Sequence, residues 1–290
     1  MSGSAQAEGI RRYYETDANL RIEDETHAKY AVPKCDFVNW TLDTLAWRTD
    51  DRVLDIGCGR GDHYSQLIDR APEITYFALD LSPFMLRNHP AQSDRLALGD
   101  ALQLPYADDS FDVVMANHVL YHLDNIDRGL DEIKRVLKPG GKMLATTNSI
   151  HNLPELQVLF RRAIVLLSAN GAHVHPPTLP SDSFALENGT RILARHFYAV
   201  VRHDLPGQLI FDDIDPAMDY LDSMRDLRQH SLPEDVDWDD MMLIMRQQIS
   251  QLIQLMGKLE LHIVTGALVA SDSGGFIHEF VACDQVSEDS

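Results

Sequence analysis

The segment Asp55-Ile56-Gly57-Cys58-Gly59-Arg60-Gly61 is the part of this chain best suited to hold a ligand. It follows a short apolar run at 52–56 and precedes a helical stretch, so it turns the chain from strand to helix. Glycines there let the backbone bend tightly and approach a ligand without a Cβ in the way. The spacing is G-x-G-x-G. It lacks the Lys-Ser/Thr ending of a phosphate-gripping loop, and Asp62 stands where a dinucleotide fingerprint carries its third glycine. A carboxylate in the first helical turn repels a pyrophosphate but tolerates a cationic, phosphate-free ligand. Asp80, 23 residues beyond Gly57, closes the next apolar run, where a carboxylate can accept both hydroxyls of a ribose. Gly99-Asp100-Ala101 follows the third run and suits an adenine amino group; Ala116-Asn117-His118 follows the fourth. Four such features at the carboxyl ends of consecutive parallel strands indicate an adenosine-type cofactor, because open α/β sheets bind ligands at that edge.

The elements that must position these residues are legible from periodicity. Residues 1–35 read as a polar helical arm with Tyr13, Tyr14 and Tyr30, broken by Pro33. Asp36 is placed to cap a short helix. Across 36–149, strands at 52–56, 75–79, 95–98, 111–116 and 142–147 alternate with helices, including 127–137 with Leu130, Ile133 and Leu137 on one face. Strands separated by helices form parallel βαβ units with right-handed crossovers, hence a doubly wound α/β sheet. Residues 150–257 then read as a mostly helical insertion, with amphipathic helices at 155–167, 216–227 and 240–256 and one sheet strand near 197–203. Residues 258–290 supply C-terminal strands that complete the sheet, chiefly at 276–283.

The chain at this point resembles the class I S-adenosylmethionine-dependent methyltransferases. The matching segments are Val53-Leu54-Asp55-Ile56-Gly57-Cys58-Gly59-Arg60-Gly61 and Ala78-Leu79-Asp80-Leu81-Ser82. Gly99-Asp100-Ala101-Leu102-Gln103-Leu104-Pro105-Tyr106, Ser110-Phe111-Asp112-Val113-Val114 and Arg135-Val136-Leu137-Lys138-Pro139-Gly140-Gly141 come next in order. The resemblance covers roughly 36–148. It implies a Rossmann-like sheet of seven strands, mostly parallel with one antiparallel strand, for which 276–283 is the candidate. It also implies S-adenosylmethionine as cofactor and S-adenosylhomocysteine as product. By position, Asp55, Gly57, Gly59 and Gly61 would hold the methionine end, with Asn117 near its amino or carboxylate group. Asp80 would bind the ribose, Leu81 would lie beside the adenine, and Asp100 and Ala101 would meet the adenine edge. Tyr14 is a further candidate, closing over the cofactor or packing in its helix. The chain looks closest to the small-molecule branch, quinone-type and natural-product enzymes, where an insertion after the fifth strand covers the acceptor. The segment 183–189 also resembles a stretch seen in that branch.

Methyl transfer from a sulfonium is an in-line displacement with an activated leaving group, so the protein must mainly align the reactants and exclude water. An oxygen acceptor usually needs a base, or a pKa low enough to ionise alone; His118, His122 and His151 are the candidate bases, with structural roles as the competing explanation for each. Oxygen is the favoured acceptor atom, then nitrogen or carbon. A binding or partner module that keeps the cofactor but lacks turnover is the alternative; a nicotinamide dehydrogenase is a distant third. With 45 acidic and 25 basic residues the formal charge is −20, which disfavours nucleic acid and anionic membrane surfaces as partners. No apolar run reaches the roughly 18 residues of a membrane span. The start of the chain does not read as a secretory signal. Cys35, Cys58 and Cys283 are too scattered for a disulfide framework or a cysteine zinc site, so a cytoplasmic setting is expected. No metal site is expected, including at His173-x-His175. Oligomeric state is left open.

Overall fold

The computed structural model describes residues 2–169 and 180–273. Its strands are β1 (Ala31–Val32), β2 (Arg52–Ile56), β3 (Thr75–Asp80), β4 (Leu96–Leu98), β5 (Phe111–Asn117), β6 (Leu137–Asn148), β7 (Ala199–Phe211) and β8 (Leu259–Ser271). They form one sheet in the order β1-β7-β8-β6-β5-β2-β3-β4. Pairings β2–β3, β2–β5, β3–β4 and β5–β6 are parallel, whereas β6–β8 and β1–β7 are antiparallel. Among the described residues the sheet therefore has eight strands rather than the seven implied by resemblance, and the two-residue β1 at its edge is one of them. The strand antiparallel to β6 is β8; the expected strand at 276–283 lies outside the described residues, as does most of the loop 170–183 with its two histidines.

The helices are α1 (Ser2–Tyr13), α2 (Ala18–Tyr30), α3 (Phe37–Asp43), α4 (Asp62–Arg70), α5 (Pro83–Asn88), α6 (Ile126–Val136), α7 (Pro154–Leu167), α8 (Leu186–Leu193), α9 (Ile214–Ser223), α10 (Arg225–Arg228) and α11 (Trp238–Met256). None of the described helices is long and apolar enough to cross a membrane. Two compact units divide the chain. The first comprises Met1–Cys35, Ile150–Asp182 and Leu205–Val264; the second comprises Asp36–Ser149, Ser183–Asp204 and Thr265–Ser290.

In the second unit β2 is buried on both faces, as its Val-Leu-Asp-Ile run demands of a central parallel strand. Val53, Ala78, Val113, Met115 and Leu144 share one core cluster with Leu67 of α4. Leu130, Ile133 and Val136 of α6 are fully buried at three-residue spacing, one face of a helix. Three helices in this unit start on side-chain caps. Asp36 accepts from Asn39 N at 3.0 Å and Asn125 from Arg128 N at 3.0 Å. Ser82, followed by Pro83, caps α5. Between Phe111↔Leu137 and Val113↔Lys142 the register shifts, so Pro139-Gly140-Gly141 is taken up as an irregularity inside β6. The segment 183–189 buries Phe184, Ala185 and Leu186. Its Glu187 accepts from Ser149 Oγ at 2.7 Å, which ties α8 to the end of β6. In the first unit Phe160, Leu221, Met241, Met245, Ile249 and Leu261 lie in one core. Met241 and Met245 are thus helix core, whereas Met256 is exposed.

The chain runs β2, β3, β4 outward and then returns to place β5 on the other side of β2. The strand order therefore reverses between β2 and β5, and ligands bind at such a switch point, beyond the carboxyl ends of the strands.

Candidate functional site

At the switch point the turn after β2 is built as its glycines require. Gly57, Gly59 and Gly61 all take positive φ, at 65°, 56° and 86°. The three serve different ends. A Cβ on Gly57 would stand 2.6 Å from Val119 Cγ2, and one on Gly61 would stand 2.7 Å from His89 Nε2 and Pro90 Cδ. Those two glycines admit protein. A Cβ on Gly59 would meet no atom within 4 Å. Gly59 thus borders open space, as expected for a backbone that a ligand approaches closely.

Asp80 is locked to this turn. Its Oδ2 accepts from Gly59 N at 2.9 Å and its Oδ1 from Ser82 N at 2.7 Å. Each carboxylate oxygen has acceptor capacity beyond one N–H, so both can still take a hydroxyl. Burial pushes the Asp80 carboxyl up, and the N–H groups of Ser82, Gly59 and Leu81 oppose that shift. Leu81 is 73% exposed, unusual for a leucine and suited to lie against a flat ring. Asp100 is exposed, with Oδ1 accepting from Leu102 N at 2.8 Å, and Ala101 is buried beside it. Asn117 ends β5 with both its side-chain nitrogen and oxygen buried and unpartnered among the described residues. Buried amides are rarely left so, and a bound ligand is the natural group to satisfy this one.

Asp55 is placed differently. It is 2% exposed, and its Oδ2 accepts from Tyr76 Oη at 2.8 Å. Tyr76 Oη lies 3.3 Å from His89 Nε2, and His89 Nδ1 accepts from Ala91 N at 3.0 Å. With Nδ1 an acceptor, the neutral imidazole carries its proton on Nε2 and donates to Tyr76, which donates to Asp55. Desolvation holds His89 down at about 4, consistent with the neutral ring. Burial, then the neighbouring Asp80 and Asp62, raise the Asp55 carboxyl to about 7 against the lowering bond from Tyr76. Asp55 therefore stiffens the turn from behind through a chain reaching His89 and Gly61. Sequence reasoning missed Tyr76 and His89, which no motif marks. It also missed His63, in the first turn of α4, whose Nε2 is buried without a partner among the described residues and whose ring desolvation holds at about 4. Asp62 pairs with Arg60 at 3.1 Å, so part of its charge is answered locally.

His118 and His122 lie just after β5 in the same unit. His118 has φ 52°, a strained conformation for a non-glycine residue, and its Nδ1 lies 3.2 Å from Tyr121 Oη. Its ring also packs on Phe37 at 5.5 Å. Desolvation, with His118 nearby, presses His122 down to about 3, so it is neutral across the physiological range. The structure thus gathers Asp55, Gly57, Gly59, Gly61, Asp80, Leu81, Asp100, Ala101, Asn117, His118 and His122 in the second unit. Tyr14 and the exposed His151 belong to the first. Burial raises the Cys58 thiol, so this residue inside the turn is a small filler and not a nucleophile.

Residues 54–145 match the family model described as a methyltransferase domain. A ubiquinone/menaquinone biosynthesis C-methyltransferase, UbiE, of Paracoccus denitrificans is 36% identical over 129 residues, 42% of this chain and 52% of that protein. A malonyl-[acyl-carrier protein] O-methyltransferase of Methylococcus capsulatus is 36% identical over 115 residues, 38% of this chain and 42% of that protein. The chain thus spans about half the length of the curated relatives it matches. Among solved structures, the BH2331 protein of Bacillus halodurans aligns with a TM-score of 0.54 at 20% identity, covering 81% of this chain and 98% of that one. The YcgJ protein of Bacillus subtilis aligns with a TM-score of 0.51 at 18% identity, covering 82% and 98%. At such identities the likeness speaks for the fold.

Proposed function

We propose that this chain, whose residues 54–145 form a class I S-adenosylmethionine-dependent methyltransferase domain, transfers the methyl of that cofactor to a small-molecule acceptor by in-line displacement. One observation carries the reading: the open space at Gly59 sits beside the Asp80 carboxylate, at the switch point where Asn117 holds two unanswered polar atoms. The residues fit the group. Asp80 is suited to take the ribose hydroxyls, Leu81 and Ala101 to flank the adenine, and Asp100 to accept from its amino group. Asn117 can both donate and accept, which matches an amino-acid end carrying an ammonium and a carboxylate. Gly59 gives the clearance that end requires.

When bound, S-adenosylmethionine supplies a methyl group already activated on a sulfonium. The chain's own residues then align the acceptor, keep water out and, for an oxygen acceptor, take its proton. We assign that proton to Nε2 of His118, with Tyr121 Oη at Nδ1 orienting the ring. Desolvation makes His122 the weaker base of the pair, and the exposed His151 is the third candidate. Oxygen remains the favoured acceptor atom. The named relatives include one C- and one O-methyltransferase, so carbon is the second choice.

Calorimetric titration of the purified protein with S-adenosylhomocysteine, using NADH as control, tests the cofactor. Saturable binding of S-adenosylhomocysteine alone is the expected result, and binding of neither ligand removes the proposal. His118→Ala then tests the base: the expected effect is a loss of turnover of about 100-fold or more with cofactor affinity kept. Equal loss of both would reassign His118 to positioning.

A further inference from the structure

Arg228 is the most anomalous side chain of the first unit. It closes α10 and is 2% exposed, yet its Nη1 has no hydrogen-bond partner among the described residues. The guanidinium lies over the Phe160 ring, 5.2 Å from its centroid. The groups of opposite charge tendency around it, Tyr220, Asp182 and Glu23, act through space and not through a hydrogen bond. Glu23 is already engaged, accepting from Tyr13 Oη at 2.6 Å. A buried guanidinium normally has its in-plane donors filled, because a desolvated charge is costly unless paired. A ring face offsets only part of that cost, and it covers the face of the cation while leaving the edge that carries the N–H groups.

The chain holds Arg228 in this place by close packing. A Cβ on Gly9 of α1 would stand 2.2 Å from Asp226 O, so only glycine lets α1 come this close to the segment that carries Arg228. Tyr13, on the same helix, is 2% exposed.

We infer that Arg228 anchors a binding site in the first unit for a small organic acid with a single carboxylate, one oxygen of which accepts from the unpartnered Nη1. A hydrogen bond from a guanidinium to a carboxylate is charge-assisted and stronger than one between neutral groups. A doubly charged phosphate would meet one cation and the fields of Glu23 and Asp182, which favours a monoanion. Phe160 and Tyr220 favour an aromatic or otherwise apolar body for the acid. This site is independent of the methyl-transfer reading.

Thermal-shift and calorimetric titrations of the full chain with benzoate, against the uncharged benzamide and against inorganic phosphate, test the assignment. Benzoate is expected to bind saturably and raise Tm, with little response to benzamide or phosphate. Arg228→Met is expected to fold with an unliganded Tm no lower than wild type, since an apolar side chain of similar volume removes an unpaired charge. It should bind benzoate at least tenfold more weakly and keep its affinity for S-adenosylhomocysteine. Arg228→Lys, which keeps the charge but loses the planar guanidinium and its Nη1, should weaken benzoate binding while remaining folded. No benzoate response in wild type, an equal response to benzamide, a stronger response to phosphate, or full benzoate binding by Arg228→Met would each overturn the inference. S-adenosylhomocysteine binding in the same samples reports separately on the proposed function.

Discussion

Replacing Gly59 by alanine separates what the turn does for the fold from what it does for the ligand. Two terms set the cost in the free protein. Gly59 has φ 56°, and an L-residue in the left-handed region costs roughly 1–2 kcal/mol. The added Cβ meets nothing within 4 Å, so there is no clash to add. At about 2–4 °C per kcal/mol for a protein near this size, Tm should fall by roughly 2–8 °C. The ligand side differs, because the methyl enters space proposed for the cofactor. Overpacking of this kind costs about 1–3 kcal/mol, or roughly 5- to 150-fold in affinity. Differential scanning calorimetry and titration with S-adenosylhomocysteine on one preparation give both numbers. Gly57→Ala is the control: its Cβ lies 2.6 Å from Val119 Cγ2, so it should lose more stability, and Val119→Ala should restore part of it. Unchanged S-adenosylhomocysteine affinity in Gly59→Ala would show that the open space is not the cofactor's, and the site reading would fail with it.

Asp80→Asn puts an amide nitrogen against N–H donors from Gly59 and Ser82, and titration should show S-adenosylhomocysteine bound about 10- to 150-fold more weakly, from the roughly 1.5–3 kcal/mol of a charged hydrogen bond. Asn117→Leu removes two buried polar atoms that have no partner among the described residues, so urea unfolding should show stability equal to or above wild type while cofactor affinity falls; a large loss of stability would refute the ligand-facing role. His63 titrates at about 4 in the folded chain against an ordinary 6.5, so the unfolded chain binds more protons between those values. The associated stability is present above about 6.5 and is lost as pH falls toward 4, and His63→Gln should gain on wild type across that interval in urea titrations. Asp55 has the opposite sign: its carboxyl is raised from 3.8 to about 7, so stability present below 3.8 is lost as pH rises through 7. Asp55→Asn should therefore gain on wild type as pH increases over that range, unless the Tyr76 bond fails to re-form.

The features that sequence makes legible are those that a local pattern encodes. The apolar run predicts a strand at 52–56 and β2 lies there, because a run buried on both faces has to be continuously apolar. Asp36, Ser82 and the turn glycines announce themselves by residue type and by their neighbours along the chain. The Asp55–Tyr76–His89 chain gives no such sign. Its members are separated by 21 and 13 residues; Asp55 and Tyr76 meet because β2 and β3 pair in register, Asp55 beside Ala78, and His89 is brought in by the end of α5. Strand β8 is obscured differently: its first half alternates in burial at Leu259, Glu260 and Leu261, while Ala267–Ala270 is buried throughout. That mixed pattern fits neither template over its whole length, so the shorter apolar run at 276–283 reads as the better strand. Arg228 is invisible in the sequence because an arginine in a charged stretch, three residues after Arg225, looks like surface; only the packing around it makes it anomalous.

The return of β8 has a consequence for how this chain can be cut or inherited. Its residues 265–271 pair antiparallel with 142–148 of β6, more than a hundred positions earlier. A fragment stopping near 149 would contain every residue that matches the methyltransferase-domain model. It would nevertheless leave one flank of β6 as a row of bare peptide groups, a template for sticking to other chains. The segment that similarity detects is therefore not a portable module. Recombination that grafts a different insertion between 150 and 264 must bring the chain back to the same ladder in the same register, and this requirement, more than the choice of helices between, limits what evolution or an engineer can exchange here.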